Sequence, residues 1–138
     1  MSDSGLRLLF QALVTLSYMA LLLLLSVLPG QPGPDGGDFS WVISTTPSPF
    51  QNAMHVVCYG VLAFLLFRNL LTMPGVRVAL TAAIAAAALC MAYGAVLEYW
   101  QGWIPGRYAS VTDALLNGLG AAIGAAAGLR LHRLARKP

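Results

Sequence analysis

The sequence predicts an all-α integral membrane protein, a bundle of four transmembrane helices with both termini in the cytoplasm. Three observations carry this expectation. Of 138 residues, 58% are hydrophobic and only 9% are charged, against roughly 25% charged in ordinary soluble domains. A soluble monomer of this size would expose too much apolar surface, and a disordered chain needs the opposite composition. The apolar residues gather in four runs, each near the ~20 residues that cross ~30 Å of hydrocarbon. The charges between the runs alternate in sign with chain parity, as four crossings require.

The elements follow in order. The first run, residues 8–28, comes after Arg7 and ends at Pro29-Gly30. It is longer than the roughly 7–15-residue core of a secretory signal, and no small-x-small cleavage site follows, so it reads as a retained helix, with cleavage the lesser alternative. Residues 31–38 are rich in Gly, Pro and Asp and cannot continue it. The second run, 53–71, stops near the turn signal Met73-Pro74-Gly75. The third is 76–97 and the fourth 111–131, within a single domain over 1–138. Helices are the expected form, because backbone in lipid must satisfy its own hydrogen bonds. A barrel is disfavoured by the lack of period-two alternation and the abundance of Ala and Leu.

Arg7, Arg68, Arg77, Arg130, Arg133, Arg136 and Lys137 all fall on one side of a four-span chain. The other side holds Asp35, Asp38, Glu98, Asp113 and one base, Arg107. The positive-inside rule then makes both termini cytoplasmic, in the inner (cytoplasmic) membrane of a bacterium. The net charge of +3 thus serves orientation, and no soluble basic patch with interleaved aromatics points to nucleic acid. Cys58 and Cys90 lie within apolar runs and show neither metal-like nor disulfide spacing. Phe39, Trp41, Phe50, Tyr99, Trp100, Trp103 and Tyr108 gather at the outer side, where an interfacial belt is expected and stacking on a ligand is the alternative. Gly120, Gly124 and Gly128 recur every four residues beside Ala121 and Ala125. Such spacing lets helix backbones approach closely, within the bundle or against a partner helix or second copy.

Polar groups gather at the same outer end. His55 and Tyr59 are four apart on the second helix, with Asn52 one turn earlier. Glu98 and Gln101 close the third helix, Arg107 lies in the loop, and Ser110, Asp113 and Asn117 open the fourth. Ser110 and Asp113 also read as a capping box, and Arg107 as a snorkelling anchor. Glu98 is harder to explain structurally: it sits near a helix C-terminus and near lipid, so it needs a cation or a proton, and Arg107 and His55 are the candidates on that side. The second and fourth helices both begin here and turn free N–H groups outward. With Arg107 they suit an anion such as phosphate or pyrophosphate. On this reading Glu98 and His55 form an acid/base pair and Asp113 orients Arg107 or His55, while Asn52, Tyr59, Gln101, Ser110 and Asn117 complete the binding surface. His55, Glu98 and Asp113 could instead hold a divalent metal, but they do not have the spacing of a metal signature, so no metal is assigned, and the sequence leaves any cofactor unknown.

The order Glu98-x-x-Gln101-x-x-x-Pro105-x-Arg107-x-x-Ser110-x-x-Asp113-x-x-x-Asn117-x-x-Gly120-x-x-x-Gly124 resembles the VanZ-like family of small bacterial membrane proteins. His55-x-x-x-Tyr59-x-x-Leu62 matches that family's other signature, and the resemblance covers roughly residues 10–131. The family often has Asp-Lys or Asn-Lys three to four residues before the His. Gln51 and Asn52 stand there, leaving Arg107 as the fixed cation of the pocket. The resemblance implies a cell-envelope protein, with a connection through the founding member to resistance against the lipoglycopeptide teicoplanin.

The leading expectation is therefore a membrane protein that binds an anionic envelope lipid or lipid-linked precursor at its outer face. Whether it also modifies that ligand is left open, since there is no nucleophile elbow. A small transporter or flippase is the alternative, although polar residues along the depth of the bundle are few outside Gln11, Thr15 and Ser17. A structural partner module without its own ligand is the other.

Overall fold

The computed structural model describes residues 3–29, 45–73 and 78–137. Its helices are α1 (Asp3–Val27), α2 (Ser48–Thr72), α3 (Ala79–Gln101) and α4 (Val111–Leu134), and no strand occurs among the described residues. All four are long and apolar enough to cross a membrane. Asp35, Asp38, Phe39, Trp41, Pro74, Gly75 and Arg77 lie outside the described residues.

The ends depart from the apolar runs for local reasons. α2 begins at Ser48, not 53, because Pro47 is its N-cap and Pro49 sits in its first turn. Proline is at home there, since its missing N–H would have no intrahelical partner. α3 runs past Leu97 to Gln101. Glu98 and Gln101 continue the helix although polar, because both are buried inside the bundle rather than turned to water. α1 and α4 each extend a few residues beyond their apolar runs into polar sequence, at Asp3 and at Leu134.

α2 is the central helix and packs against each of the others, whereas α1 touches only α2 and α3. The core is built from small residues: Ala82, Ala83, Ala86, Cys90, Ala121 and Ala125 are buried, with Leu62 and Phe67 filling the space between helices. Large aliphatics such as Leu24, Ile84 and Ile123 face outward. That inversion suits lipid, where association gains from close packing rather than from removing apolar surface from water.

The α2–α4 contact is backbone on backbone. A Cβ at Gly120 would collide with the Val56 carbonyl, and one at Gly124 with the Gly60 carbonyl. A Cβ at Gly60 would meet the Gly120 carbonyl oxygen at 3.4 Å. One turn further, Gly128 makes room for the Phe67 ring, which also meets His132 edge-on at 6.3 Å between centroids. The four-residue glycine spacing is thus occupied inside the chain.

α1 is held differently. Among its described residues only Thr15, Leu22 and Ser26 are buried. Its attachment is polar: the Tyr18 hydroxyl donates to the Cys58 carbonyl (3.1 Å), the Tyr93 hydroxyl to the Met19 carbonyl (2.6 Å), and Asn69 Nδ2 to Thr15 Oγ1 (2.6 Å). Cys58 and Cys90 are both free thiols, and Cys90 donates to the Tyr59 carbonyl.

Candidate functional site

At one end of the bundle the C-termini of α1 and α3 meet the N-termini of α2 and α4. The link from α3 to α4 is short. Ile104 to Arg107 form a turn closed by the Arg107 N–H on the Ile104 carbonyl (3.0 Å), with Pro105 and Gly106 at its centre and Gly106 at φ 73°. Proline then a left-handed glycine is the requirement of a type II turn. It aims Arg107 back across the bundle.

Arg107 reaches α1. Its Nε donates to the Leu28 carbonyl (3.1 Å) and an Nη to the Leu25 carbonyl (2.9 Å). These are carbonyls that a helix C-terminus leaves without intrahelical partners. Two of the five guanidinium donors are used in this way, which leaves three for another acceptor. Burial pushes the guanidinium down from its ordinary value, and the Glu98 and Asp113 carboxylates push it back up. An arginine remains charged under either influence.

Glu98, only 5% exposed, accepts from the Ser110 backbone N–H at 2.7 Å. The sequence suggested Arg107 or His55 as its partner. The atom facing it belongs instead to the N-terminus of α4, where the helix dipole favours an anion. This arrangement also divides the capping box. Ser110 Oγ accepts from the Asp113 N–H (3.3 Å), as a cap should. The reciprocal bond, from the third residue to the cap's own N–H, is made by Glu98 in place of Asp113. The Asp113 carboxylate is left to face His55, with Oδ1 3.9 Å from Nε2.

His55 sits between two groups of α4. Its Nδ1 lies 2.8 Å from Asn117 Oδ1, an acceptor that favours the tautomer with the proton on Nδ1. Asn117 is 2% exposed and its Nδ2 has no partner among the described residues. That nitrogen lies close to Gly94, where the Tyr59 ring also packs. Asp113, His55 and Asn117 therefore form one chain of polar contacts, and Glu98, Ser110 and Asp113 another, joined at Asp113.

In front of His55 lies a cavity of about 510 Å³. His55, Tyr59 and Gln101 line it from α2 and α3, Arg107 closes one side, and Leu22, Leu25, Phe50 and Met54 make its walls largely apolar. Of the nine sequence-predicted residues, these four polar ones reach the cavity. Glu98, Ser110, Asp113 and Asn117 stand behind them, and Asn52 is half-buried one turn before His55, outside the lining. Sequence reasoning missed the α1 wall. Leu22, Leu25 and Ser26 share one helix face, and Ser26 in an otherwise apolar run was the available signal. Cys58 and Gln51 also line the space; Gln51 Nε2 donates to the Thr46 carbonyl at 2.8 Å. Tyr99, Trp103 and Tyr108 are turned outward and do not line the cavity, and Tyr99 meets Trp103 edge-on. Among the described residues no three His, Cys, Asp or Glu side chains converge as metal ligands.

No curated protein and no solved structure matches the chain. The VanZ/LLP1 family model matches residues 13–132, a stretch that takes in every site residue described above, all of α2 and α3, and most of α1 and α4. On that match the chain belongs to the VanZ/LLP1 family.

Proposed function

We propose that this multi-pass membrane protein binds an anionic envelope lipid or a lipid-linked precursor in the cavity between α1, α2 and the α3–α4 turn. The observation that carries the reading is the cavity's make-up: apolar walls from α1 and α2, with Arg107, His55, Gln101 and Tyr59 converging on one end. Its volume falls within the roughly 300–1,000 Å³ of small-molecule sites. Arg107 keeps three donors for a phosphate oxygen, and the neighbouring N-terminus of α2 adds partial positive charge. Asp113 and Asn117 would orient the His55 ring, through which a proton could pass to or from a bound headgroup. Glu98 would hold the start of α4 in place behind them.

In this proposal the site end faces outward and both termini face the cytoplasm across the bacterial inner membrane. The distribution of basic residues supports that orientation. A part in lipoglycopeptide resistance, teicoplanin included, would follow from handling the envelope lipids among which such a drug acts. The transport and partner-module readings draw less support. The polar groups Thr15 and Asn69 bond to each other, and the glycines of α4 are covered by α2.

Lipids co-purifying with the full chain, identified by mass spectrometry, test the proposal. One anionic lipid class should be enriched over the surrounding membrane and depleted in Arg107→Ala and Glu98→Ala, both first checked for an intact thermal transition. Identical lipid profiles in folded variants and parent would overturn it.

A further inference from the structure

We infer that a second lipid site lies at the opposite end of the bundle, where the groove between α1 and α2 takes the headgroup and upper acyl chain of an anionic glycerophospholipid. The groove has a volume of about 690 Å³ and is lined by Arg7, Phe10 and Gln11 of α1 and Leu65, Arg68 and Asn69 of α2. It lies apart from the cavity at His55 and shares no residue with it.

Its lining combines two cations, two amides and apolar side chains, and neither Arg7 nor Arg68 has an ion-pair partner among the described side chains. Gln11 is one turn inward from Arg7 on the same face. Its Oε1 is enclosed without a donor among the described residues, so the amide keeps unspent hydrogen-bonding capacity beside the groove. Asn69 is fixed in the floor by its bonds to Thr15 Oγ1 (2.6 Å) and the Leu65 carbonyl (2.9 Å). Phe10 and Leu65 supply apolar wall. A glycerophospholipid offers the matching chemistry: a phosphate for the two guanidiniums, ester carbonyls for the Gln11 amide, and an acyl chain for the apolar wall. Two cations with no ion-pair partner among the described side chains favour a headgroup of net negative charge, because a zwitterionic one would bring its ammonium toward the arginines.

The test uses the delipidated full chain in neutral detergent and counts bound lipid by native mass spectrometry. Dioleoylphosphatidylglycerol is compared with dioleoylphosphatidylcholine and with millimolar inorganic phosphate. Arg7→Gln/Arg68→Gln should weaken retention of the phosphatidylglycerol at least about tenfold. Arg133→Gln/Arg136→Gln, which removes two charges from the same end outside the groove, should leave it unchanged. Arg7→Lys/Arg68→Lys should restore much of it, which a folding defect would not allow. Equal loss in the control pair, full retention in the groove pair, equal binding of phosphatidylcholine, or displacement by phosphate would each overturn the inference. Arg107→Ala separates the two sites: it should abolish only the lipid of the His55 cavity, so either proposal can fail while the other stands.

Discussion

Gly124→Ala gives the sharpest test of how this bundle is held together. Alanine is the better helix former by about 1 kcal/mol, so in an exposed helix the substitution stabilises. At Gly124 the new methyl collides with the Gly60 carbonyl, which is backbone and has no rotamer to move. Ordinary contact requires α2 and α4 to separate by about 1.5 Å or more. That displacement would stretch the His55–Asn117 hydrogen bond, now 2.8 Å, beyond bonding range. Overpacking of this kind costs about 1–3 kcal/mol, and the broken buried hydrogen bond adds about 1 kcal/mol more. The net expectation is destabilisation of roughly 1–3 kcal/mol after the propensity gain. Gly118→Ala is the control on the same helix, because its methyl meets only the flexible end of Met91, at 3.4 Å. It should be neutral or stabilising. Equilibrium unfolding in mixed micelles reads both. A Gly124→Ala protein as stable as its parent, or a Gly118→Ala protein equally damaged, would refute the backbone-contact account.

Three further outcomes are expected. Glu98→Ala should cost about 1–3 kcal/mol by leaving the Ser110 N–H unpaired, and Glu98→Gln, which keeps an acceptor, should recover most of it in the same unfolding assay. Asn117→Ala should change the balance of His55 tautomers, read from imidazole ¹⁵N shifts, because nothing else described holds the proton on Nδ1. Tyr93→Phe removes the bond to the Met19 carbonyl and should cost about 0.6 kcal/mol, typical of an interhelical hydrogen bond in a membrane, with faster protease cleavage at the end of α1 as the local readout.

What was legible in the sequence follows from what hydrocarbon demands. A span needs a long apolar run, so four runs gave four helices, and the period-four glycines marked a close approach. The helix ends were less legible, because the last apolar residue is a poor marker where buried polar groups prolong the helix, as Glu98 and Gln101 do. Around the cavity, the clustering of polar residues at one end of the bundle was legible, and their bonding partners were not. Arg107 bonds to main-chain carbonyls of Leu25 and Leu28. Every helix ends in such carbonyls, and no side-chain pattern says which end a distant arginine will reach. Glu98 likewise pairs with a backbone N–H that any residue at 110 would supply. The α1 wall was hidden because Leu22 and Leu25 look like any other lipid-facing leucines until the neighbouring helices are in place.

Two kinds of packing divide the molecule, and the division bears on how a ligand enters. α2 and α4 meet at backbone distance and hold His55, Asp113 and Asn117 in register, so the polar chain is part of the least deformable contact in the bundle. α1 buries three side chains and is attached through hydroxyl and amide hydrogen bonds and through Arg107. Interhelical hydrogen bonds in membranes contribute only about 0.6 kcal/mol on average, so this helix is the one that separates at least cost. It also forms the outer wall of both grooves. On the proposed reading, the wall that would admit a lipid to the His55 cavity is the loosely held one, while His55 and the Asp113 and Asn117 beside it sit on the tightly packed helices. A substitution that loosens α1, such as Tyr93→Phe, should then change the rate at which lipid exchanges more than the selectivity for its headgroup. Gly124→Ala should do the reverse, because it moves the polar groups and leaves the attachments of α1 intact.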